Sequence, residues 1–109
     1  MKYFLVSVLA IAAFSLSFKP GYVTEKFKVY GNCEMCKERI EKALKVKGVR
    51  YAYWDKDTKI ATVKFNPDVV TLDQLHQLVA DVGHDTDKVK AKDEVYNNLH
   101  HCCQYERRE

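Results

Sequence analysis

Two kinds of apolar spacing alternate along this chain, and their order restricts the fold more than any other feature. Apolar residues at every second position predict three strands, built on Val23, Phe27 and Val29, on Val49, Tyr51 and Tyr53, and on Ala61, Val63 and Phe65. Helical spacing predicts two helices, built on Cys36, Ile40, Ala43 and Leu44 and on Leu72, Leu75, Val79 and Val82. Gly48 and Gly83 end these helices, and a capping box at Thr71 and Gln74 begins the second.

A weaker strand pattern at residues 86–91 completes the order β-α-β-β-α-β. This order predicts an α+β, ferredoxin-like fold, with two helices on one face of a four-stranded antiparallel sheet. Trp54 alternates with Tyr51 and Tyr53, so we expect it on the open face of that sheet. A brief helical segment is expected at residues 93–99.

The N-terminal residues have the pattern of a secretory signal. Lys2 precedes an apolar run that ends at Phe18, and this run is short for a membrane span. We therefore divide the chain into a signal peptide at residues 1–17, one domain at residues 18–91 and a tail at residues 92–109. The division predicts a periplasmic or secreted protein, and an uncleaved membrane anchor is the alternative.

The charge pattern excludes some classes of function. The 109 residues carry a formal charge of +3, and the basic residues alternate with acidic ones instead of clustering. A nucleic-acid-binding protein would need a basic stripe, so we expect no nucleic-acid partner. The sequence contains no pattern of a nucleophile with its base and no phosphate-binding loop, so we expect neither an enzyme nor a substrate.

A pair of cysteines three residues apart carries the chemistry of the domain. Cys33 and Cys36 lie where the first helix begins, and the helix N-terminus favours the thiolates that bind metal. Such a pair forms a metal site, a redox dithiol or a disulfide. A disulfide across so short a loop would stabilise the fold little.

The domain resembles the heavy-metal-associated family of copper chaperones, metal-transport ATPases and periplasmic mercury-binding proteins. The resemblance covers about residues 24–91. It rests on Cys33 and Cys36, on Ile40, Glu41, Ala43, Leu44, Gly48 and Val49, on Ala61, Val63, Phe65 and Pro67, and on Val82, Gly83 and His84. The resemblance implies a ferredoxin-like fold that binds a soft ion between Cys33 and Cys36, with Cu(I) expected first and Hg(II) or Zn(II) as alternatives. Such a protein would sequester the ion or pass it to a partner protein.

Two positions near the cysteine loop need separate comment. Family members usually have a methionine two residues before the first cysteine, beneath the metal loop, where this chain has Gly31. We expect His84 to face the loop, because it precedes the strand that would neighbour the first strand. It would serve as a third ligand, as a residue that tunes the thiolates, or as a solvated loop histidine. Met35 is expected to be exposed, with a thioether that suits Cu(I).

The tail has an unusual density of potential ligands at His100, His101, Cys102 and Cys103. A disulfide between adjacent cysteines would be strained. The tail could complete the site of Cys33 and Cys36, form its own site, or contact another molecule. The predicted fourth strand runs away from the loop, but ten extended residues cover about 33 Å, so a return is sterically allowed. The sequence thus predicts a soft-metal carrier, and a periplasmic thiol–disulfide protein is the rival.

Overall fold

The computed structural model describes residues 21–108, so the predicted signal peptide at residues 1–17 lies outside the described residues. The elements in chain order are β1 (Val23–Lys28), α1 (Glu34–Leu44), β2 (Val49–Trp54), β3 (Ile60–Phe65), α2 (Leu72–Asp81), α3 (Asp93–Asn97) and a 3₁₀ turn (His101–Cys103). No helix within residues 21–108 is both long enough and apolar enough to cross a membrane.

The sheet is antiparallel with the strand order β1-β3-β2. Ala61 of β3 pairs with Phe27 on one side and with Trp54 on the other. The inward-facing side chains of the sheet pack against α1 and α2 around Ile40, Leu44, Leu75 and Val79, which are fully buried. The predicted α+β class with two main helices on an antiparallel sheet is therefore confirmed.

The predicted fourth strand at residues 86–91 is not formed. Within the part of the chain that the structure describes, it is reduced to one antiparallel bridge between Val29 and Thr86. The cause is local, because the Thr86 hydroxyl accepts hydrogen bonds from the backbone amides of Lys88 and Val89, at 3.0 and 2.9 Å. The Thr86 amide also donates to the Val89 carbonyl at 2.7 Å, so the chain turns where a strand would continue.

The prediction for Trp54 was wrong, because β2 contains a bulge. The pairing with β3 passes from Val49–Phe65 to Tyr51–Lys64, so Arg50 is one extra residue in β2. An extra residue exchanges the two faces of the strand beyond it. Trp54 is consequently fully buried, whereas Tyr51 and Tyr53 are exposed on the open face.

The helix boundaries follow the signals in the sequence. Thr71 accepts a hydrogen bond from the Gln74 amide, and the Gln74 side chain accepts one from the Thr71 amide, as a capping box requires. Gly48 and Gly83 adopt φ angles of 96° and 107°, which favour glycine after a helix. These ends place the loop before α1 and the loop after α2 on the same side of the domain, where the Tyr30 amide donates to the Asp85 carbonyl at 2.8 Å.

Candidate metal centre

Three cysteine sulfurs converge at the N-terminus of α1. The Sγ atom of Cys33 lies 3.3 Å from that of Cys36 and 3.3 Å from that of Cys103. All three sulfurs lie within 4.8 Å of one another, and we call Cys33, Cys36 and Cys103 the sulfur cluster. All four cysteines of the chain are free thiols in this structure.

The loop before α1 brings the first two sulfurs together. Cys33 is the extended residue before the helix, and its carbonyl accepts the first helical hydrogen bond from the Lys37 amide. Cys36 lies in the first turn of α1, where its sulfur is buried and accepts a hydrogen bond from the Asn32 amide at 3.4 Å. Both side chains thus point toward the same side of the helix start.

The side chain of Trp54 packs beneath this loop. A Cβ atom at Gly31 would lie 3.1 Å from Cη2 of the Trp54 indole and 3.2 Å from Cβ of Cys36. The indole nitrogen donates to the Val29 carbonyl at 2.9 Å, which fixes the ring in the core. The indole therefore fills space beneath the loop, and Gly31 leaves room for it.

The tail brings the third sulfur to the loop. The Tyr105 hydroxyl donates to the Gly83 carbonyl at 2.6 Å and accepts from the Asp85 amide at 2.9 Å. Arg107 contacts both carboxylate oxygens of Asp85, at 2.7 and 3.1 Å, and donates to the Ala91 carbonyl at 2.7 Å. These contacts anchor the chain beyond Cys103, so the sulfur of Cys103 is buried over the loop.

Hydrogen bonding within the cluster favours one thiolate. Burial alone would raise the pKa of Cys33, but hydrogen bonds from the Cys36 thiol and amide and from the Cys103 thiol lower it to about 7. Burial raises the pKa of Cys36 above its ordinary value. Cys33 is therefore the first sulfur of the pair to lose its proton, and a deprotonated sulfur is the form that binds metal.

The other predicted site residues lie outside the sulfur cluster. His84 is fully buried, with Nδ1 bonded to the Tyr30 carbonyl at 2.8 Å and Nε2 facing Arg39 at 3.4 Å. His101 is exposed and its ring stacks on that of His100. Cys102 is exposed, with its sulfur 4.0 Å from that of Cys103. The assignment of any of these residues, or of the cluster itself, as metal ligands stays a prediction.

Sequence reasoning missed the residues that position the third sulfur. The sequence patterns assign no role to Tyr105 or Arg107, yet Tyr105 is buried and Arg107 covers a buried carboxylate. Asp85 was the signal in the sequence that could have indicated such an anchor. It lies between two segments of the core, and a carboxylate that is buried there needs a positively charged partner.

The fold and the cluster together define a class: a small α+β domain with a buried group of thiols suited to a soft metal ion. The model of the heavy-metal-associated domain matches residues 28–85. The chain belongs to this family, as the resemblance in its sequence predicted. A comparison with curated protein sequences gives no match.

Solved structures of the same type are similar over the domain. A CopZ metallochaperone is 27% identical, with a TM-score of 0.57 over 59% of this chain and 98% of the other. The N-terminal domain of a potential copper-translocating P-type ATPase from Bacillus subtilis, in its Cu(I)-loaded state, is 27% identical, with a TM-score of 0.55 over 63% and 96%. Oxidized MerP from Ralstonia metallidurans CH34 is 25% identical, with a TM-score of 0.52 over 60% and 96%. The sulfur cluster and the family indicate soft-metal binding.

Proposed function

We propose that the protein binds one Cu(I) ion between Cys33, Cys36 and Cys103 and passes it to a partner protein by stepwise thiolate exchange. The observation that carries this proposal is the approach of three sulfurs to within 4.8 Å of one another. Three sulfurs bound about 2.3 Å from one ion in a plane are about 4 Å apart, so small side-chain movements would admit the ion.

The donor set favours Cu(I) over the alternatives. Thiolates are the soft ligands that Cu(I) prefers, and two of the three residues, Cys36 and Cys103, are fully buried, which would shield the ion from water. Zn(II) is usually held by four ligands, and the buried His84 uses Nδ1 for the Tyr30 carbonyl, with Nε2 facing Arg39. Hg(II) also suits thiolates and is the stronger alternative cargo. The similarity to a CopZ metallochaperone and to a Cu(I)-loaded ATPase domain adds support for copper.

The function is one of binding and transfer, without catalysis. A metallochaperone type of domain transfers its ion to another protein, so the partner would present thiols of its own. A thiol–disulfide protein is the second candidate, because Cys33 and Cys36 are 3.3 Å apart and Cys33 has the lowered pKa of an attacking thiol. Such a protein would exchange its disulfide with a reductant at a defined potential and would not need Cys103.

Titration of the reduced protein with Cu(I), against a competing chelator and without oxygen, tests the ligand set. We expect one ion per chain, loss of most of the affinity when Cys33 and Cys36 are both changed to Ser, and about a tenfold or greater loss for Cys103→Ser. Cys102→Ser, which removes the adjacent exposed thiol, is the matched control and should leave the affinity unchanged. Equal affinity of C103S and the parent would remove Cys103 from the site. Tighter binding of Hg(II) or Zn(II) in competition would reassign the cargo.

We also propose that the protein works outside the cytoplasm, after removal of residues 1–17. The support is Lys2 followed by an apolar run with small residues at Ser15 and Ser17. The intact mass of exported protein decides this, since a chain that begins at Phe18 is expected. A mass that retains Met1 would indicate a membrane anchor instead.

A further inference from the structure

Two more sulfurs lie at the solvent side of the sulfur cluster. The Cys102 thiol is 3.6 Å from the thioether sulfur of Met35, and it is 4.0 Å from Sγ of Cys103. Met35 is 41% exposed, and Cys102 is also exposed. We call Met35 and Cys102 the surface sulfur pair. The five sulfurs form an unbroken row from solvent to the buried Cys36, with steps of 3.6, 4.0, 3.3 and 3.3 Å.

This row has the spacing that an ion needs to move between ligands. Two sulfurs about 2.3 Å from a shared ion lie roughly 3.8 to 4.6 Å apart, according to whether the coordination is tetrahedral or linear. The steps at Met35, Cys102 and Cys103 are close to this range. A Cu(I) ion could therefore be held by one sulfur while it gains the next, and it would not have to enter water.

The burial of two of the three cluster sulfurs favours such a route. Cys36 and Cys103 have no exposed surface, and Cys33 is only partly exposed. A partner's thiolate has little access to an ion at their centre. Ligand exchange requires a position where the ion contacts both molecules, and the surface sulfur pair has the exposure and the soft donors for it.

We propose that Met35 and Cys102 form a transfer site, which accepts Cu(I) from outside and exchanges it with the sulfur cluster; this inference rests on the proposed function. Copper remains Cu(I) throughout. The Cys102 thiol releases its proton to water when its sulfur binds the ion. When the ion moves inward, its bond to Cys102 breaks as a bond to a cluster sulfur forms, any thiol proton on that sulfur is released to water, and Cys102 takes up a proton from water.

The neighbouring histidines provide a contrast within the same turn. His101 is also exposed, but its imidazole is a harder donor than a thiolate or thioether and its ring stacks on His100. It does not belong to the row of sulfur contacts. Substitution of His101 therefore serves as a control for exposure and position.

The experiment measures rate and affinity separately on reduced protein loaded with Cu(I). Transfer to a chromogenic Cu(I) chelator is followed by stopped-flow absorbance for the parent and for Met35→Leu, Cys102→Ser, Cys102→Met and His101→Asn. We expect M35L and C102S to slow the transfer about tenfold, with equilibrium affinity unchanged, because the cluster keeps its three thiolates. C102M should retain most of the rate, since it keeps a soft sulfur, and H101N should match the parent.

The outcomes separate the two proposals. Equal transfer rates for the parent, M35L and C102S would overturn the transfer site while the Cu(I) affinity still supports the proposed function. A loss of one bound ion in C102S, seen by native mass spectrometry, would also overturn it, because that result indicates an independent tail site. Failure of the parent to bind Cu(I) at all would refute the proposed function itself.

Discussion

At the residue scale, Gly31 and Trp54 form a reciprocal pair beneath the loop. The indole occupies the space next to Cys36, and a side chain at Gly31 would meet the ring at 3.1 to 3.2 Å. The sequence shows that Gly31 replaces the methionine usual in the family. It does not show that Trp54 packs against Gly31, because the bulge in β2 reverses the face of the sheet on which Trp54 lies. A single extra residue in one strand thus concealed the contact that explains the glycine.

We expect Gly31→Ala to lower the free energy of unfolding by about 1–3 kcal/mol, because the added methyl group overpacks the site. Urea unfolding of the reduced, metal-free protein measures this value. In a Trp54→Phe background the ring atoms at closest approach are absent, so the same substitution should cost less. An equal cost in both backgrounds would contradict the pairing of Gly31 with the indole.

His84 gives the fold a dependence on pH. Burial and, to a smaller extent, the nearby Arg39 lower its pKa to about 4, although the hydrogen bond to the Tyr30 carbonyl acts to raise it. The folded state therefore resists protonation that the unfolded chain accepts near pH 6.5. This contribution to stability is complete above pH 6.5 and is lost as the pH falls toward 4, by up to about 3 kcal/mol.

Unfolding of the metal-free protein at pH 7 and at pH 5 tests this expectation. His84→Asn keeps a donor for the Tyr30 carbonyl and does not titrate, so its stability should fall less between these pH values. His76 has a lowered pKa from burial as well and acts in the same direction in both proteins. Identical pH profiles for the parent and H84N would show that His84 is already solvated in the folded state.

At the scale of elements, the sequence predicted the two helices better than the sheet edge and the tail. Helix ends depend on local signals, such as the capping box of Thr71 and the glycine after each helix. The fourth strand depends on competition between a sheet ladder and the turn that Thr86 builds with its own hydroxyl. The alternating pattern of residues 86–91 does not show which of the two forms, because it records the strand spacing and not the hydrogen bonds of the Thr86 hydroxyl. The loop of Cys33 and Cys36 could be predicted from its spacing. The approach of Cys103 could not, because it depends on the tertiary contacts that bring the tail back to this loop.

The contact of Arg107 with Asp85 holds the tail to the domain. Burial alone would raise the pKa of Asp85, but hydrogen bonds from Arg107 and from the Ala91 and Arg108 amides hold it below its ordinary value. The Asp85 carboxylate is fully buried and depends on Arg107 for its compensating charge. Removal of one partner from such a pair costs about 3–5 kcal/mol.

We expect Arg107→Met to release the tail and to expose the Cys103 thiol. Alkylation by iodoacetamide, followed by peptide mass spectrometry, should then show faster modification of Cys103, with the exposed Cys102 as the internal reference. Arg108→Met is the matched control, because Arg108 contacts Asp85 through its backbone amide. Protection of Cys103 in R107M equal to that in the parent would contradict the anchoring role.

At the scale of the whole molecule, the sulfur cluster connects parts of the chain that are far apart in sequence. Cys103 contacts Cys33 across 70 residues. An ion bound by both would link the tail to the loop before α1, so binding and stability are coupled. The domain proper and the tail then unfold together when the ion is present.

We expect Cu(I) to raise the melting temperature of the reduced protein. Free Cu(I) at 1,000 times the dissociation constant adds about 4 kcal/mol. This corresponds to roughly 15–30 °C for a domain of this size. Calorimetry with and without Cu(I) measures the increase, which should be smaller for C103S at the same free Cu(I) and unchanged for C102S. An equal increase for C103S would show that the tail does not share the ion.

The separation of 70 residues between Cys33 and Cys103 also sets a delay between the synthesis of the two sulfurs. A ribosome adds about 5 to 20 residues per second, so roughly 4 to 14 seconds separate the synthesis of the first sulfur from that of the third. During this interval the nascent chain offers two thiols and no tail to cover them. We therefore expect the growing chain to bind Cu(I) at least about tenfold more weakly than the finished chain, because the proposed site lacks its third sulfur until Cys103 has been added.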